Sequence, residues 1–558
     1  MLTGNENDPE FSGTVRDAYS GDPVDGVEVR ANGTAVMTDD GGRFSFDAPV
    51  EGSITVSRDA YEATEVPAPP AEKQMDITIR PTTLTGKVTN SRNGDPVVGA
   101  TVEVSGQSLS SSTTVTDSDG EYLLADVPPE ATISVSFNGF SQVSEPVGNN
   151  VVLDFEIRPD SIIGHVRNED GEPVPSATIQ LGDVTTSSDE DGEYQLNGVP
   201  ESGSIVVKKA GYREVVGEYP DDLRFDAELE RFEIRAIYVS AMTASDDQEW
   251  DDILELVDNS EINAVVLDVK DNDGLVRYDS EVPMVSEVGA DGVLYDVEER
   301  LDDLREREIY AIARQVVFED PVLAEAEPEM AVRDTESGDL WTTWDGQAWV
   351  NATDSDVWQY NIDIALEVVE LGFDEVQLDY IRFPTDGPLD TADFGTELDS
   401  ERRTEAIATF LEEIREELAP SGVFLAVDLF GIALWEESDI GIGQDLEVIA
   451  PLVDVVNPMI YPSHFSPGQF GFDVPNDHPY DVVLWVLERG RDRLGGDADK
   501  LRPWLQDFSY GPGIEYGPDQ VQAQIDAVDD FEAPGWMLWS PSNEYTEAAL
   551  TAGDDPQQ

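Results

Sequence analysis

Residues 373–387 read FDEVQLDYIRFPTDG, and this stretch decides the fold of the C-terminal part of the chain. Its apolar run has the length of a strand, stops at Asp379-Tyr380, and is followed by the turn-forming Pro384-Thr385-Asp386-Gly387. Before it stands DVWQYNIDIALEVVEL and after it ERRTEAIATFLEEIREEL, both with apolar residues at helical spacing. A strand between two helices, ending in polar residues, is one unit of a parallel βα repeat.

Working outward, the same texture recurs from Glu233 to Tyr545. Strand-like runs begin at Ile234 (IRAIYVS), Ile262 (INAVVLDV), Ile309 (IYAIARQVV), Phe373, Val423 (VFLAVDLF), Val453 (VDVVNPMIY), Leu501 (LRPWLQDF) and Gly535 (GWMLWS). Acidic amphipathic stretches such as LYDVEERLDDLRER and PDQVQAQIDAVDDF separate them. Eight such units predict a closed TIM-type (β/α)8 barrel, whose typical length is about 250 residues before insertions. A doubly wound sheet would have fewer strands and, if it bound nucleotide, a Gly-rich loop after the first.

Ahead of the barrel the pattern changes to three repeats of alternating strands. FSGTVRD, LTGKVTN and IIGHVRN place a glycine at Gly13, Gly86 and Gly164. Each is followed by a Gly-acid-Pro-Val turn, an alternating strand, an acidic turn ending in Gly42, Gly120 or Gly192, and an aromatic at Phe44, Tyr122 or Tyr194. Period-2 alternation broken by Gly, Pro and Asp turns is the signature of a β-sandwich. The shared pattern resembles the carboxypeptidase regulatory-like, prealbumin-type sandwich family, which implies modules that act as spacers, stabilisers or carbohydrate contacts. The acidic turns read as hairpin turns: a strand follows each glycine directly, where a calcium loop of the EF-hand type runs on to a distant glutamate. The expected organisation is a disordered segment over 1–9, sandwiches over 10–81, 82–159 and 160–231, the barrel over 232–549, and a disordered tail over 550–558.

Barrel chemistry sits at the C-terminal ends of the strands. The polar residues that end these runs are Tyr238, Asp268 with Lys270, Arg314, Gln377 with Asp379, Asp428, Asn457 with Tyr461, Gln506 with Asp507, and Trp539. Aromatic residues stand beside them, among them Trp504 and Tyr380. Carboxylates among aromatics, with three histidines and no cysteine in the chain, compose a sugar cleft. Sugar rings stack on aromatic faces, and an acetal needs a proton donor plus a nucleophile or base.

The segments NAVVLDVKDNDG, ARQVVFEDPVLAEAEPEMAVRD, FDEVQLDYIRFPTDG, VNPMIYPSHF, NDHPYDVV and GWMLWSPSNEY resemble a glycoside-hydrolase-like barrel family of uncharacterised bacterial and archaeal proteins, distantly related to the α-amylase clan. That resemblance implies O-glycosyl hydrolysis by two carboxylates. It puts the nucleophilic aspartate at the fourth strand, where Asp379 stands. It puts the acid/base at the fifth, where Asp428 stands in place of a glutamate, and a transition-state-stabilising acid on a late strand, where Asp507 stands. The residue two before Asp379 is Gln377 rather than the clan's arginine, a departure that argues against α-glucan specificity. Asp379, Asp428 and Asp507 are therefore the candidate catalytic residues. Tyr238, Asp268, Arg314, Gln377, Arg382, Asn457, Tyr461, His464, Trp504 and Trp539 are the candidate substrate-binding residues. Against each stands a plainer reading. Asp379 could pair with Arg382 or Arg314 to hold the rim, Asp268 and Lys270 could form a fixed ion pair at the cleft floor, and Glu375 could point into the barrel by period 2.

No cysteine is present, and neither H-x-H nor H-E-x-x-H occurs, so no metal or other cofactor is expected. The 119 acidic against 32 basic residues give a formal charge of −87, spread along the whole chain. Molar salt, with a Debye length of about 3 Å, screens such self-repulsion. The composition thus resembles that of an extreme halophile and argues against nucleic-acid or anionic-membrane partners. No apolar stretch is long enough to span a membrane. The polar start MLTGNENDPE is compatible with a leader missing ahead of it, hence with an extracellular or cell-surface place, and a cytoplasmic one stays open. The expected partner is a carbohydrate substrate. The competing functions are a glycoside hydrolase, a non-catalytic carbohydrate-binding or cell-surface protein with a degenerate cleft, and, more weakly, another barrel chemistry such as a lyase or a polysaccharide deacetylase, the metal-dependent deacetylase's His/Asp triad being missing.

Overall fold

The computed structural model describes residues 11–69, 73–106 and 112–550. The segments expected to be disordered, 1–9 and 550–558, lie outside these residues except for Leu550. The chain divides into two compact units, Met1–Ser161 with Asn197–Glu201, and Ile162–Leu196 with Ser202–Gln558.

Each front repeat is a seven-stranded sandwich of a three-stranded and a four-stranded sheet. In the first, Phe11–Asp17 lies between Arg43–Phe46, antiparallel, and Gln74–Ile79, parallel. The signature glycines have a steric cause. A Cβ on Gly13 would stand 1.9 Å from the Met75 carbonyl oxygen and 2.6 Å from the Phe44 ring. Gly86 meets Leu153 and Tyr122 in the same way, and Gly164 meets Phe225 and Tyr194. The glycine thus lets the first strand close onto both the aromatic strand and the closing strand. In the acidic turns, the Oδ1 atoms of Asp39, Asp117 and Asp189 each accept two backbone N–H groups of their own turn. These are the hairpin turns the sequence predicts.

The third sandwich shares a compact unit with the barrel. Its strand Ser204–Lys208 is buried on both faces, whereas the corresponding Ser53–Ser57 alternates. The added cover is the barrel: Lys208 Nζ donates to the Val423 carbonyl at 2.8 Å and pairs with Asp454 Oδ2 at 2.7 Å. Gln180 Nε2 donates to the Ala419 carbonyl, and Lys209 pairs with Asp499.

The barrel closes in the order β1 (Ile234–Val239), β2 (Ala264–Lys270), β3 (Tyr310–Val316), β4 (Glu375–Asp379), β5 (Phe424–Phe430), β6 (Val455–Met459), β7 (Trp504–Gln506) and β8 (Gly535–Trp539). All eight pairings are parallel. Both faces of the strands are covered, so they read as near-continuous apolar runs. Outward residues such as Val265, Leu267, Val376 and Leu378 pack under the helices. Inward residues such as Ala236, Tyr238, Val266, Ile312, Trp504 and Met537 form a separate interior cluster. Low in the interior, Arg502 donates through both terminal nitrogens to Glu375, 1% exposed. Glu375 does point inward, but as an ion-pair partner at the N-terminal end.

Candidate active site

Three carboxyls, Asp268, Asp379 and Asp428, gather at the C-terminal ends of the strands, and one cation holds two of them. Arg314, near the C-terminal end of β3, donates through Nη1 to Asp268 Oδ1 at 2.6 Å. It donates through Nη2 and Nε to Asp379 Oδ2 at 2.6 and 3.0 Å. The other oxygen of Asp268 accepts the Tyr238 hydroxyl at 2.6 Å. Burial works against the Arg314 charge, but Asp379 and Asp268 outweigh it and hold the guanidinium's pKa well above the ordinary arginine value. Burial pushes the Asp268 carboxyl upward, against the pull of Arg314.

The expected Asp268–Lys270 ion pair is not formed. A bulge shifts the β2 register between these residues, so that Asp268 stands opposite Arg314 and Lys270 opposite Gln315. The two side chains consequently leave on opposite faces. Lys270 turns outward to Asp320 Oδ2 at 2.8 Å and to Asn361 Oδ1 at 3.2 Å on the helix Ser355–Leu371.

Asp379 ends β4, and the next residue, Tyr380, sits in the left-handed region at φ 53°. An aromatic residue there is uncommon and strained, a feature that concentrates at functional sites. The turn brings the Tyr380 N–H onto Asp379 Oδ1 at 2.7 Å. On β5, Asp428 takes two donors on one oxygen: Gln377 Nε2 at 2.6 Å and Trp504 Nε1 at 3.0 Å, both on Oδ1. Burial, reinforced by the Asp379 charge, raises the Asp428 carboxyl well above the usual range, with Arg314 and the two hydrogen bonds opposing. Burial thus disfavours the charged form of Asp428, whereas Asp379 is tied to a cation.

Exposure separates the candidates. Asp268 is 0%, Asp428 2% and Asp379 8% exposed. Gln377, Asn457 and Trp504, expected to touch substrate, are sealed inside. Gln377 and Trp504 hold Asp428, and Asn457 Oδ1 accepts from Arg502 at 3.2 Å. Gln377 Oε1 and Asn457 Nδ2 have no hydrogen-bond partner among the described residues. Asp507 is not brought to the Asp379 cluster. It follows inward Gln506 by one residue, so alternation turns it away, and its two oxygens accept the Thr546 hydroxyl at 2.6 Å and N–H at 2.8 Å.

Aromatic side chains stand beside this cluster. Tyr238 stacks on Trp539 at 4.0 Å between centroids, and Arg314 lies 5.4 Å from the Trp539 ring. Tyr461 packs against Phe508 and His464, and exposed His464 stacks on Tyr510. Arg382, 8% exposed, is caged by Trp349, Tyr380 and Phe430 at 4.8, 4.9 and 5.1 Å. It forms no ion pair among the described residues; burial depresses its pKa. Sequence reading overlooked Glu319, which lies beside this cage in the loop after β3. The available signal was an acid pair, Glu319-Asp320, directly after an apolar strand end.

Residues 236–545 match the family described as "Putative glycosyl hydrolase domain", and residues 83–158 match the carboxypeptidase regulatory-like domain. No curated protein matches the chain. Among solved structures, a hypothetical protein from Ruminiclostridium thermocellum is 38% identical, covering 34% of this chain and 96% of its own, with a TM-score of 0.32. The PgaB (BpsB) glycoside hydrolase domain from Bordetella bronchiseptica is 14% identical over 58% of this chain and 100% of its own, at a TM-score of 0.44. A class V chitinase from Pseudomonas fluorescens is 14% identical over 57% and 98%, at a TM-score of 0.35. The family match runs from the first barrel strand to beyond the last, and the chain belongs to the putative glycosyl hydrolase domain family.

Proposed function

We propose that the barrel hydrolyses a glycosidic bond in a poly- or oligosaccharide, with Asp379 as the carboxylate that meets the anomeric centre. The observation that carries this reading is the Arg314 bridge. It fixes Asp379 at the end of β4, beside a strained Tyr380, while the Asp379 side chain keeps 11% exposure. A carboxylate so held can bond to the anomeric carbon or take a proton from the water that does. Asp428, sealed beneath it with its charged form disfavoured by burial, shapes the floor. The aromatic ring of Tyr238, Trp539, Tyr461 and Phe508 supplies surfaces for sugar stacking. In the same reading the protein works in molar salt, outside the cell or at its surface, with the sandwiches as spacer or binding modules.

One observation favours carbohydrate binding without turnover: both Asp379 oxygens already accept hydrogen bonds, from Arg314 and from Tyr380. One screen separates the two. Wild type and Asp379→Asn are compared in molar salt on haloarchaeal and plant polysaccharides, following reducing ends and, separately, binding. Hydrolysis by wild type that the substitution abolishes supports the enzyme. Equal hydrolysis by both removes Asp379 from the reaction, and binding without hydrolysis favours the second reading.

A further inference from the structure

We propose that Glu319 is the proton donor of this site, delivering its proton to the glycosidic oxygen while Asp379 faces the anomeric carbon. The proposal rests on the hydrolase reading above.

A proton donor has to touch its substrate, and that requirement divides the carboxyls. Asp268 and Asp428 are sealed at 0% and 2% exposure, under Arg314, Tyr238, Gln377 and Trp504. Glu319 keeps 8% exposure, the same as Asp379. Backbone geometry brings the two together. Past the end of β3 the chain stays alongside β4: the Val317 N–H donates to the Asp379 carbonyl at 3.0 Å and the Phe318 N–H to the Tyr380 carbonyl at 3.4 Å. The next residue is Glu319, carried over the Asp379 end of the barrel. From the loop after β2, Asn272 Nδ2 reaches Glu319 Oε1 at 3.4 Å. Oε2 has no hydrogen-bond partner among the described residues and is the atom left to meet a substrate.

The charged groups around Glu319 then set its proton. Burial acts first and disfavours the carboxylate. Arg382 pulls the other way, Asp345 and Asp379 add to the burial, and the Tyr380 phenol also faces it. The balance pushes the Glu319 carboxyl up to about 7. A free glutamate has lost its proton well below neutrality, whereas this one still holds it where a general acid is most useful. Arg382 loses its counter-charge while Glu319 is protonated, and its aromatic cage carries it meanwhile.

The chemistry balances with water alone. The Glu319 proton passes to the glycosidic oxygen as the C1–O bond breaks and its electron pair stays on that oxygen, so the leaving sugar departs as an alcohol. If Asp379 bonds to C1, Glu319 next takes a proton from the water whose oxygen displaces Asp379. If water attacks directly, Asp379 takes that proton. Either route ends in hydrolysis.

The test uses the full chain and Glu319→Gln, on a polysaccharide that wild type cleaves and on an aryl glycoside of the same sugar. Wild-type kcat is expected to fall as pH rises through about 7, because the donor loses its proton. Glu319→Gln should lose at least about 100-fold in kcat on the polysaccharide, lose far less on the aryl glycoside, whose leaving group needs little protonation, and lack that alkaline limb; on the route through a bond to Asp379, added azide should also restore aryl-glycoside turnover. Infrared spectra give a readout without turnover: a protonated-carboxyl band that fades through about pH 7 in wild type should be missing from Glu319→Gln. Wild-type activity and the same alkaline limb in Glu319→Gln, or persistence of that band, overturn the assignment of Glu319 alone. Loss of activity in Asp379→Asn with full activity in Glu319→Gln overturns it equally. A wild-type chain that cleaves nothing in the screen overturns the hydrolase reading, and the donor with it.

Discussion

Replacing Arg314 by methionine tests how the site is held together. Arg314 is 5% exposed, and its guanidinium makes three hydrogen bonds to two carboxylates, at 2.6, 2.6 and 3.0 Å. Methionine keeps much of the stem but leaves Asp268 and Asp379 facing each other without a cation. Removing one partner of a buried pair costs roughly 3–5 kcal/mol. Asp268 accounts for most of it, being 0% exposed with burial already raising its carboxyl against the pull of Arg314. The Tyr238 hydroxyl remains on its other oxygen, so about 4 kcal/mol is the expected loss near neutral pH. At roughly 2 cal/mol/K of unfolding entropy per residue for a barrel of this size, Tm falls by roughly 5–8 °C. Thermal unfolding followed by near-ultraviolet circular dichroism, in constant molar salt, measures it at about pH 7.5 and about pH 4.5. Without Arg314 the Asp268 carboxyl rises further, so its contribution is present at low pH and lost as pH rises through the folded value; the deficit therefore shrinks at the lower pH. Adding Asp268→Asn and Asp379→Asn should recover at least about half of the loss. A Tm within about 1 °C of wild type, or an equal deficit at both pH values, refutes the reasoning.

Two further outcomes follow from the same structure. Asp428 has a folded pKa raised above its unfolded value of about 3.9, so its stabilising contribution is complete below that pH and is lost as pH rises through the folded value. Asp428→Asn has no proton to lose, so within that window it should gain on wild type by up to about 1.4 kcal/mol per pH unit; parallel Tm curves would contradict this. Lys208→Met removes the third sandwich's charge from Asp454, which among the described residues keeps the Leu425 N–H as its hydrogen bond, and should cost the barrel about 3 kcal/mol in thermal unfolding. No change would mean that the sandwich is a mere spacer.

Much of the fold was legible because its signals are short-range. A run such as AVVLDV and the helical spacing of DVWQYNIDIALEVVEL report burial through neighbours a few residues apart. The repeat glycines were readable as a pattern, though their cause, a closing strand's carbonyl oxygen less than 2 Å from a would-be Cβ, lies some 60 residues further along the chain. In the site, Asp379 could be found as the polar end of a strand.

What followed from the sequence alone was thus the eight-unit barrel, the sandwich repeats and the end of the barrel that carries the carboxyls. Tertiary structure decided which of those carboxyls stay exposed and what each is paired with. A bulge sent Lys270 outward and left Asp268 to Arg314, and one step of alternation turned Asp507 to Thr546. Packing sealed Asp428 under Gln377 and Trp504 and set Glu319 beside Arg382 with one free oxygen. Strand periodicity states which residues share a face. Proton affinity and exposure depend on what three or four distant segments bring to the same few ångströms, and that is fixed only when the barrel closes.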